Sequence, residues 1–343
     1  MRRDVRGLVV LAFAALLALV LPAIVREPTS RNIAIVMLMT AQLGVAWNIL
    51  GGYAGQVSLG HAVFLGCGAY TSTWLLLTYG VSPWIGMLVG GVVSTVLALV
   101  IGWPCFRLRG HYFAMATIAV AEIVQALVTN WDALGGAVGL YLPVQETGFW
   151  GFVWNKSKVP YYYIALALLA VSLLVNWAVV KSHLGYYFRA IKDEPDAARS
   201  LGVSLTRYKL IAIVLSSFLT AMGGTLYAQK ELYIDPGSTL STALSIKMAL
   251  VCILGGVGSL LGPVLGAVVL TGIEEGSRVL FGGSGRGTDL VVYGLLIVGF
   301  AVFKPEGILG LVADKRGGPS PPLGENAPRP GGPVTPATAG DEP

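Results

Sequence analysis

The chain has 343 residues, of which 55% are hydrophobic and only 12% are charged. A soluble domain carries roughly 25% charged residues, so this chain has too few charges to cover a water-exposed surface of its size. The formal net charge of +5 could suit nucleic acid in a soluble chain, but here the cations lie in short loops between long apolar runs. This composition argues against a soluble enzyme or a nucleic-acid-binding domain and predicts a polytopic membrane protein.

Long apolar runs follow one another along the chain, and roughly 20 apolar residues suffice for one helix to cross a bilayer. The first run is interpreted as a retained span, because it is long and lacks a small-x-small cleavage site. The third run begins in a polar stretch, the eighth is short and the ninth is rich in glycine, which predicts short or broken helices there. We therefore expect an all-α transmembrane helix bundle of about ten spans. The predicted spans are 8–25, 33–50, 57–79, 84–103, 112–130, 161–180, 210–228, 243–255, 260–280 and 288–303.

Lysine and arginine residues are concentrated in the loop around Arg107 and Arg109 and in the loop 181–209. If ten spans alternate, both loops and both chain ends lie on one side of the membrane. Because cytoplasmic loops are enriched in Lys and Arg, that side is predicted to be cytoplasmic. The expected location is a bacterial inner membrane, with a multi-pass domain over residues 1–311. Residues 312–343 are rich in proline and glycine and predict a disordered cytoplasmic tail.

The loop 181–209 is the longest polar interruption on the predicted cytoplasmic side. Glu194 and Pro195 suit the start of a helix, and Gly202 suits the C′ position just after its end. This predicts a short helix over residues 196–201 that lies outside the bilayer. The alternative interpretation is an ordinary solvated loop.

Several motifs resemble a known family. Asp196-Ala197-Ala198, followed by Gly202, is similar to the "EAA…G" coupling loop of ATP-binding-cassette (ABC) importer permeases, with Asp in place of Glu. Residues 48–66, 109–119 and 255–267 resemble three sequence blocks of branched-chain amino acid permeases of the LivM type, in the same order. The resemblance covers about residues 35–310.

The resemblance implies an ABC importer permease fold and transport of branched-chain or other hydrophobic amino acids by alternating access. The implied partners are a homologous second permease of the LivH type, two cytoplasmic ATP-binding subunits and a periplasmic solute-binding protein, within membrane lipid. The chain itself is expected not to be an enzyme, since it has no G-x-x-x-x-G-K-[ST] phosphate loop. The residues carried over as the ATPase-coupling loop are Glu194, Asp196, Ala197, Ala198, Arg199 and Gly202.

Polar residues inside the predicted spans give a second hypothesis. Gln56, Ser58 and His61 surround a glycine-rich stretch, and Thr117 and Glu122 lie on the fifth predicted span. Because polar and ionisable groups inside a bilayer usually face a cavity or the bundle interior, these five are candidates for the translocation path. The alternative is ordinary helix packing through glycines and their polar partners. No metal or cofactor is predicted, since no metal-ligand spacing occurs.

The solute is the most open question. The family often has Asp or Asn at the position of Ala137, so the same machinery could import urea, a short amide or another small polar solute. A secondary transporter is a weaker alternative, because it would usually show paired mid-membrane charges and inverted repeats. An intramembrane enzyme would need a nucleophile–base pair or a metal cluster, and the sequence offers neither.

Overall fold

The computed structural model describes residues 19–22, 27–108, 110–144, 148–154 and 157–281, with a few residues between 291 and 299. Its helices, numbered in chain order, are α1 (Pro28–Asn48), α2 (Ala62–Tyr79), α3 (Pro83–Cys105), α4 (His111–Thr129), α5 (Gly148–Gly151), α6 (Val159–Lys181), α7 (His183–Asp193), α8 (Pro195–Ser200), α9 (Leu205–Glu231), α10 (Pro236–Thr239), α11 (Thr242–Gly255) and α12 (Gly262–Phe281). A π-helical turn, Ile49–Tyr53, continues α1. The architecture confirms the predicted all-α bundle.

The long helix α9 lies at the centre of the bundle and packs against α1, α2 and α3. Many of its buried residues are small, and small residues let the backbones of membrane helices approach closely. A Cβ placed on Gly224 of α9 would overlap the carbonyl oxygen of Leu65, and a Cβ placed on Gly68 of α2 would overlap that of Ala221. The backbones of α2 and α9 are therefore in direct contact.

Replacing Gly224 by leucine should disrupt this crossing, since the new side chain can be accommodated only by moving α2 away from α9. We expect a destabilisation of about 3 kcal/mol, the upper range for overpacking a well-packed core. The measurement is thermal unfolding of the detergent-solubilised protein, followed by its size-exclusion profile. Gly272→Ala is the matched control, because the nearest atom to its built Cβ is 3.9 Å away. Equal melting temperatures for the two variants would contradict the close crossing.

Six described helices are long and apolar enough to cross a membrane: Pro28–Tyr53, Pro83–Cys105, His111–Thr129, Val159–Lys181, Leu205–Glu231 and Pro236–Gly255. The predicted count of about ten spans is thus not confirmed. Most of the first and tenth predicted spans, and the whole predicted tail 312–343, lie outside the described residues. The ninth predicted span forms α12, which has three charged residues in its last two turns.

Three of the predicted spans are irregular or short, as the sequence indicates. The third predicted span begins with irregular backbone, and its helix α2 starts only at Ala62. The eighth and ninth form α11 and α12, which are separated by a turn over residues 256–261. The α11 helix has 14 residues and is about 21 Å long at 1.5 Å per residue, which is shorter than a bilayer core.

The connection between α4 and α6 carries short 3-10 turns and one strand, β1 (Leu140–Tyr141). This strand pairs antiparallel with β2 (Tyr233–Ile234), with Leu140 opposite Ile234. The pairing fixes the connection to the end of α9. Ala137 lies in an exposed 3-10 turn just before β1.

Candidate functional site

The predicted short helix is present as α8, with a proline at its start and a glycine just after its end. Pro195 occupies the first helical position, where its missing N–H costs nothing. At the other end, Gly202 has φ +85°, the left-handed conformation that glycine adopts without strain. The N–H of Val203 donates to the carbonyl of Ala198 at 3.1 Å, and the N–H of Gly202 donates to that of Arg199 at 3.0 Å. These two bonds form a Schellman motif, which turns the chain sharply towards α9.

The six residues assigned to the coupling loop do not all face outwards. Ala198 is only 4% exposed and packs inside the permease itself. The other five residues of the assigned loop are exposed: Glu194, Asp196, Ala197, Arg199 and Gly202. The next residue after α8, Leu201, is 85% exposed. A large apolar side chain at such a position is available for contact with another protein.

The sequence did not predict α7, which precedes α8 and forms a helical pair with it. Its residues Gly185, Phe188 and Ile191 are buried at helical spacing, while the opposite face is polar. The ring of Tyr187 stacks on that of Tyr208 at the start of α9, with a centroid distance of 4.4 Å. We call α7, α8 and the turn to Ser204 the docking segment. It is packed on the bundle and is not a free loop.

Lys192 connects the docking segment to the transmembrane helices. Its Nζ donates a hydrogen bond to the carbonyl oxygen of Gly52 at 3.0 Å, within the π-helical turn that follows α1. A Cβ built on Gly258 would lie 3.3 Å from the same Nζ. The docking segment, the π-helical turn and the turn between α11 and α12 therefore meet at this ammonium group.

Asn48, just before the π-helical turn, fixes that turn to the turn between α11 and α12. Its Nδ2 donates to the carbonyl oxygen of Ser259 at 2.9 Å, and its Oδ1 accepts from the N–H of Gly258 at 3.0 Å. Both backbone groups belong to the turn where the helical ladder is interrupted, so they would otherwise lack partners. Sequence spacing could not reveal this contact, because its members are more than 200 residues apart.

Three of the five path candidates lie together in the bundle interior. His61 is fully buried, and its Nε2 lies 2.8 Å from Ser216 Oγ, which itself donates to the carbonyl of Ala46 at 2.6 Å. His61 therefore donates from Nε2. Leu59 N–H donates to Thr117 Oγ1 at 3.0 Å, and Ser58 is also buried. In this conformation the hydrogen bonds of these residues hold the irregular segment before α2 in place.

The other two candidates, Gln56 and Glu122, lie elsewhere. Gln56 is half-buried and lines a separate cavity of about 350 Å³ with Arg107, Arg199 and Lys209. Glu122 is exposed on α4 and accepts a hydrogen bond from Thr242 Oγ1 at 2.7 Å. The structure thus does not bring all five candidates into one channel within this chain.

The chain is similar to permeases of branched-chain amino acid transport systems. A family model described as the permease component of branched-chain amino acid transport systems matches residues 29–300. The chain is 31% identical over 302 residues to the high-affinity branched-chain amino acid transport permease LivM of Salmonella typhimurium, covering 82% of this chain and 70% of that protein. It is 24% identical over 288 residues to LivH of Escherichia coli, covering 79% and 91%. A solved structure of PsaBC from Streptococcus pneumoniae has a TM-score of 0.42 at 15% identity, covering 83% and 96%.

Proposed function

The chain belongs to the family of permease components of branched-chain amino acid transport systems, and on that premise we propose that it forms part of the membrane path of an ATP-driven importer for hydrophobic amino acids. Family membership and six apolar helices make it a multi-pass inner membrane protein. LivM and LivH, the relatives named above, are described as branched-chain amino acid transport permeases. This supports the same class of solute for the present chain.

The observation that carries the proposal is the docking segment. It joins a short helix, bounded by Pro195 and Gly202, to the exposed apolar residue Leu201, at the position where the sequence resembles the coupling motif of ABC permeases. We assign its exposed face to a cytoplasmic ATP-binding subunit, on which ATP hydrolysis takes place. With this assignment we propose that both chain ends lie in the cytoplasm, as the positive loops favour.

The exposed face of α4 supports a second permease subunit beside this one. Glu122 lies in the middle of α4, and only 17% of the most apolar part of this helix is buried within the chain. A carboxylate facing lipid at mid-membrane would be costly, so a polar or protein environment should cover it. A homologous permease there would place Glu122 along the translocation path between the two subunits. A periplasmic solute-binding protein would deliver the amino acid to this assembly.

Replacing Leu201 by glutamate tests the assigned docking face. The carboxylate would have to be buried without a partner in an apolar contact. We therefore expect the affinity of the permease for the ATP-binding subunit to fall about tenfold or more. The measurement is co-purification of the ATP-binding subunit with the membrane-inserted permease. Thr206→Glu is the control, because it adds the same charge at an exposed position in the first turn of α9. Unchanged co-purification of the Leu201→Glu variant would refute the docking assignment.

A further inference from the structure

A cavity of about 490 Å³ lies at the opposite end of the bundle from the docking segment. Its walls come from α1, the last turns of α9, the first turns of α11 and the last turns of α12, with one residue each from α2 and from the segment before α6. The 27 residues of α9 separate the two ends by about 40 Å at 1.5 Å per residue. Under the proposed orientation, the cavity therefore opens towards the side from which solute arrives.

One ion pair connects two of the cavity walls. Lys247 of α11 and Glu274 of α12 meet with Nζ and Oε2 2.5 Å apart, and their side chains are 23% and 28% exposed. The other two acidic residues of the lining also have cationic neighbours: Glu231 pairs with Lys230, and Glu275 pairs with Arg278. The Lys247–Glu274 pair differs from these two because its members come from different helices.

Apolar side chains also line the cavity. Leu43 of α1, Leu65 of α2 and Met248 of α11 line the same space, and Met248 follows Lys247 directly. Small-molecule sites are typically 300–1,000 Å³, mostly apolar, with a few fixed polar groups. This cavity has that size, and it combines apolar side chains with several charged ones, of which Lys247 and Glu274 form the pair that joins two helices.

We propose that this cavity binds a hydrophobic amino acid as a zwitterion, with its ammonium on Glu274, its carboxylate on Lys247 and its side chain against Leu43, Leu65 and Met248. The assignment rests on the proposed function and locates a solute site within it. Inserting the zwitterion exchanges one ion pair for two, so no charge is left unpaired. A partly exposed pair contributes only about 0–1 kcal/mol by itself, so separating it costs little.

The same reasoning predicts which compounds should not bind in the cavity. An amine without a carboxylate would leave Lys247 without a partner, and a carboxylate without an amine would leave Glu274 without one. A neutral amide offers no charge to either residue. Leucine, isopentylamine and isocaproate therefore form a matched set of probes, since all three carry the same branched alkyl chain.

Cysteine protection in the reconstituted importer tests the site. Val36→Cys places a thiol in the cavity lining, and Cys67→Ala removes the half-buried native thiol, while Cys105 and Cys252 are buried. Leucine at millimolar concentration should slow modification of the Val36→Cys thiol by a small methanethiosulfonate about fivefold or more, an effect of roughly 1 kcal/mol. Isopentylamine and isocaproate should have little effect. Leu88→Cys, on the exposed face of α3, is the control that leucine should not protect.

The double variant Lys247→Met with Glu274→Gln removes both charges at once, so neither is left unpaired in a folded protein. It should retain the melting temperature and the bound ATP-binding subunit but lose protection by leucine. The site would be overturned if all three probes protected the thiol equally, or if leucine gave no protection while Lys247 and Glu274 were intact. Full protection by leucine in the double variant would overturn it as well. Leucine uptake by the intact importer is measured in parallel: uptake without protection refutes only this site, whereas absent uptake refutes the proposed function.

Discussion

Gly202→Val should strongly reduce ATP-driven uptake while leaving the permease in the membrane. Gly202 has φ +85°, and a residue with a Cβ costs about 1–2 kcal/mol in this conformation, with β-branched residues at the high end. No atom lies within 4 Å of a Cβ built there, so the effect comes from the backbone and not from a clash. Losing the Schellman motif would change the direction of the chain between α8 and α9. It would also displace Leu201 from its proposed contact with the ATP-binding subunit. We expect uptake to fall about tenfold or more.

Gly202→Asn provides the matched control, because asparagine tolerates the left-handed conformation better than other residues with a Cβ. It adds a side chain of similar size at the same exposed position and should keep most of the uptake and the bound ATP-binding subunit. The measurements are initial uptake of labelled leucine into proteoliposomes and co-purification of the ATP-binding subunit. If valine and asparagine gave equal losses, steric blocking of the surface, and not backbone geometry, would be the cause. If neither variant lost activity, the docking segment would have no role in coupling.

Lys192→Met should separate ATP hydrolysis from transport. The substitution keeps most of the aliphatic stem that packs on Gly55 but removes the donor to the Gly52 carbonyl. The α8 surface is unchanged, so the ATP-binding subunit should still dock and hydrolyse ATP. Uptake should fall about tenfold, because a charge-assisted hydrogen bond contributes roughly 1.5–3 kcal/mol. In the proposed mechanism this bond links the docking segment to the π-helical turn after α1.

Lys181→Met is the control for removing a cation near the same membrane surface. Its Nζ lies 4.3 Å from the ring centroid of Trp177 and has no hydrogen bond to the π-helical turn. Uptake and hydrolysis should both stay near the unaltered level in this variant. A parallel loss of uptake and hydrolysis in Lys192→Met would mean that Lys192 supports docking or folding and does not transmit movement. A double-mutant cycle with Asn48→Ala should show coupling, since both side chains act on the turn at Gly258.

The sequence predicted the elements whose causes are local. Pro195 marks the start of α8 and Gly202 marks its end, each through its own backbone preference. The helix could therefore be located from single residues. The long apolar runs likewise predicted α1, α3, α4, α6 and α9. The helix α7 was missed because its three buried residues are embedded in a polar stretch, where a short amphipathic pattern is easily overlooked.

The contacts that define the candidate sites depend on residues distant in the chain, and single-sequence spacing does not contain them. His61 bonds to Ser216, Asn48 bonds to Ser259, and Lys192 bonds to Gly52. Glu274 pairs with Lys247 on another helix, although Arg278 lies closer to it in the sequence. A usable signal was present, since a lysine within the apolar run of α11 is costly unless it is paired or faces a cavity.

Reconstituted transport is the most direct test of the central proposal. The permease should be assembled in proteoliposomes with its second permease and ATP-binding subunits, with the solute-binding protein outside and ATP inside. Labelled leucine should accumulate only when ATP and every one of these subunits are present, and an ion gradient should not replace ATP. Accumulation of leucine by this chain alone, driven by an ion gradient, would contradict the assignment as a permease powered by separate ATPase subunits.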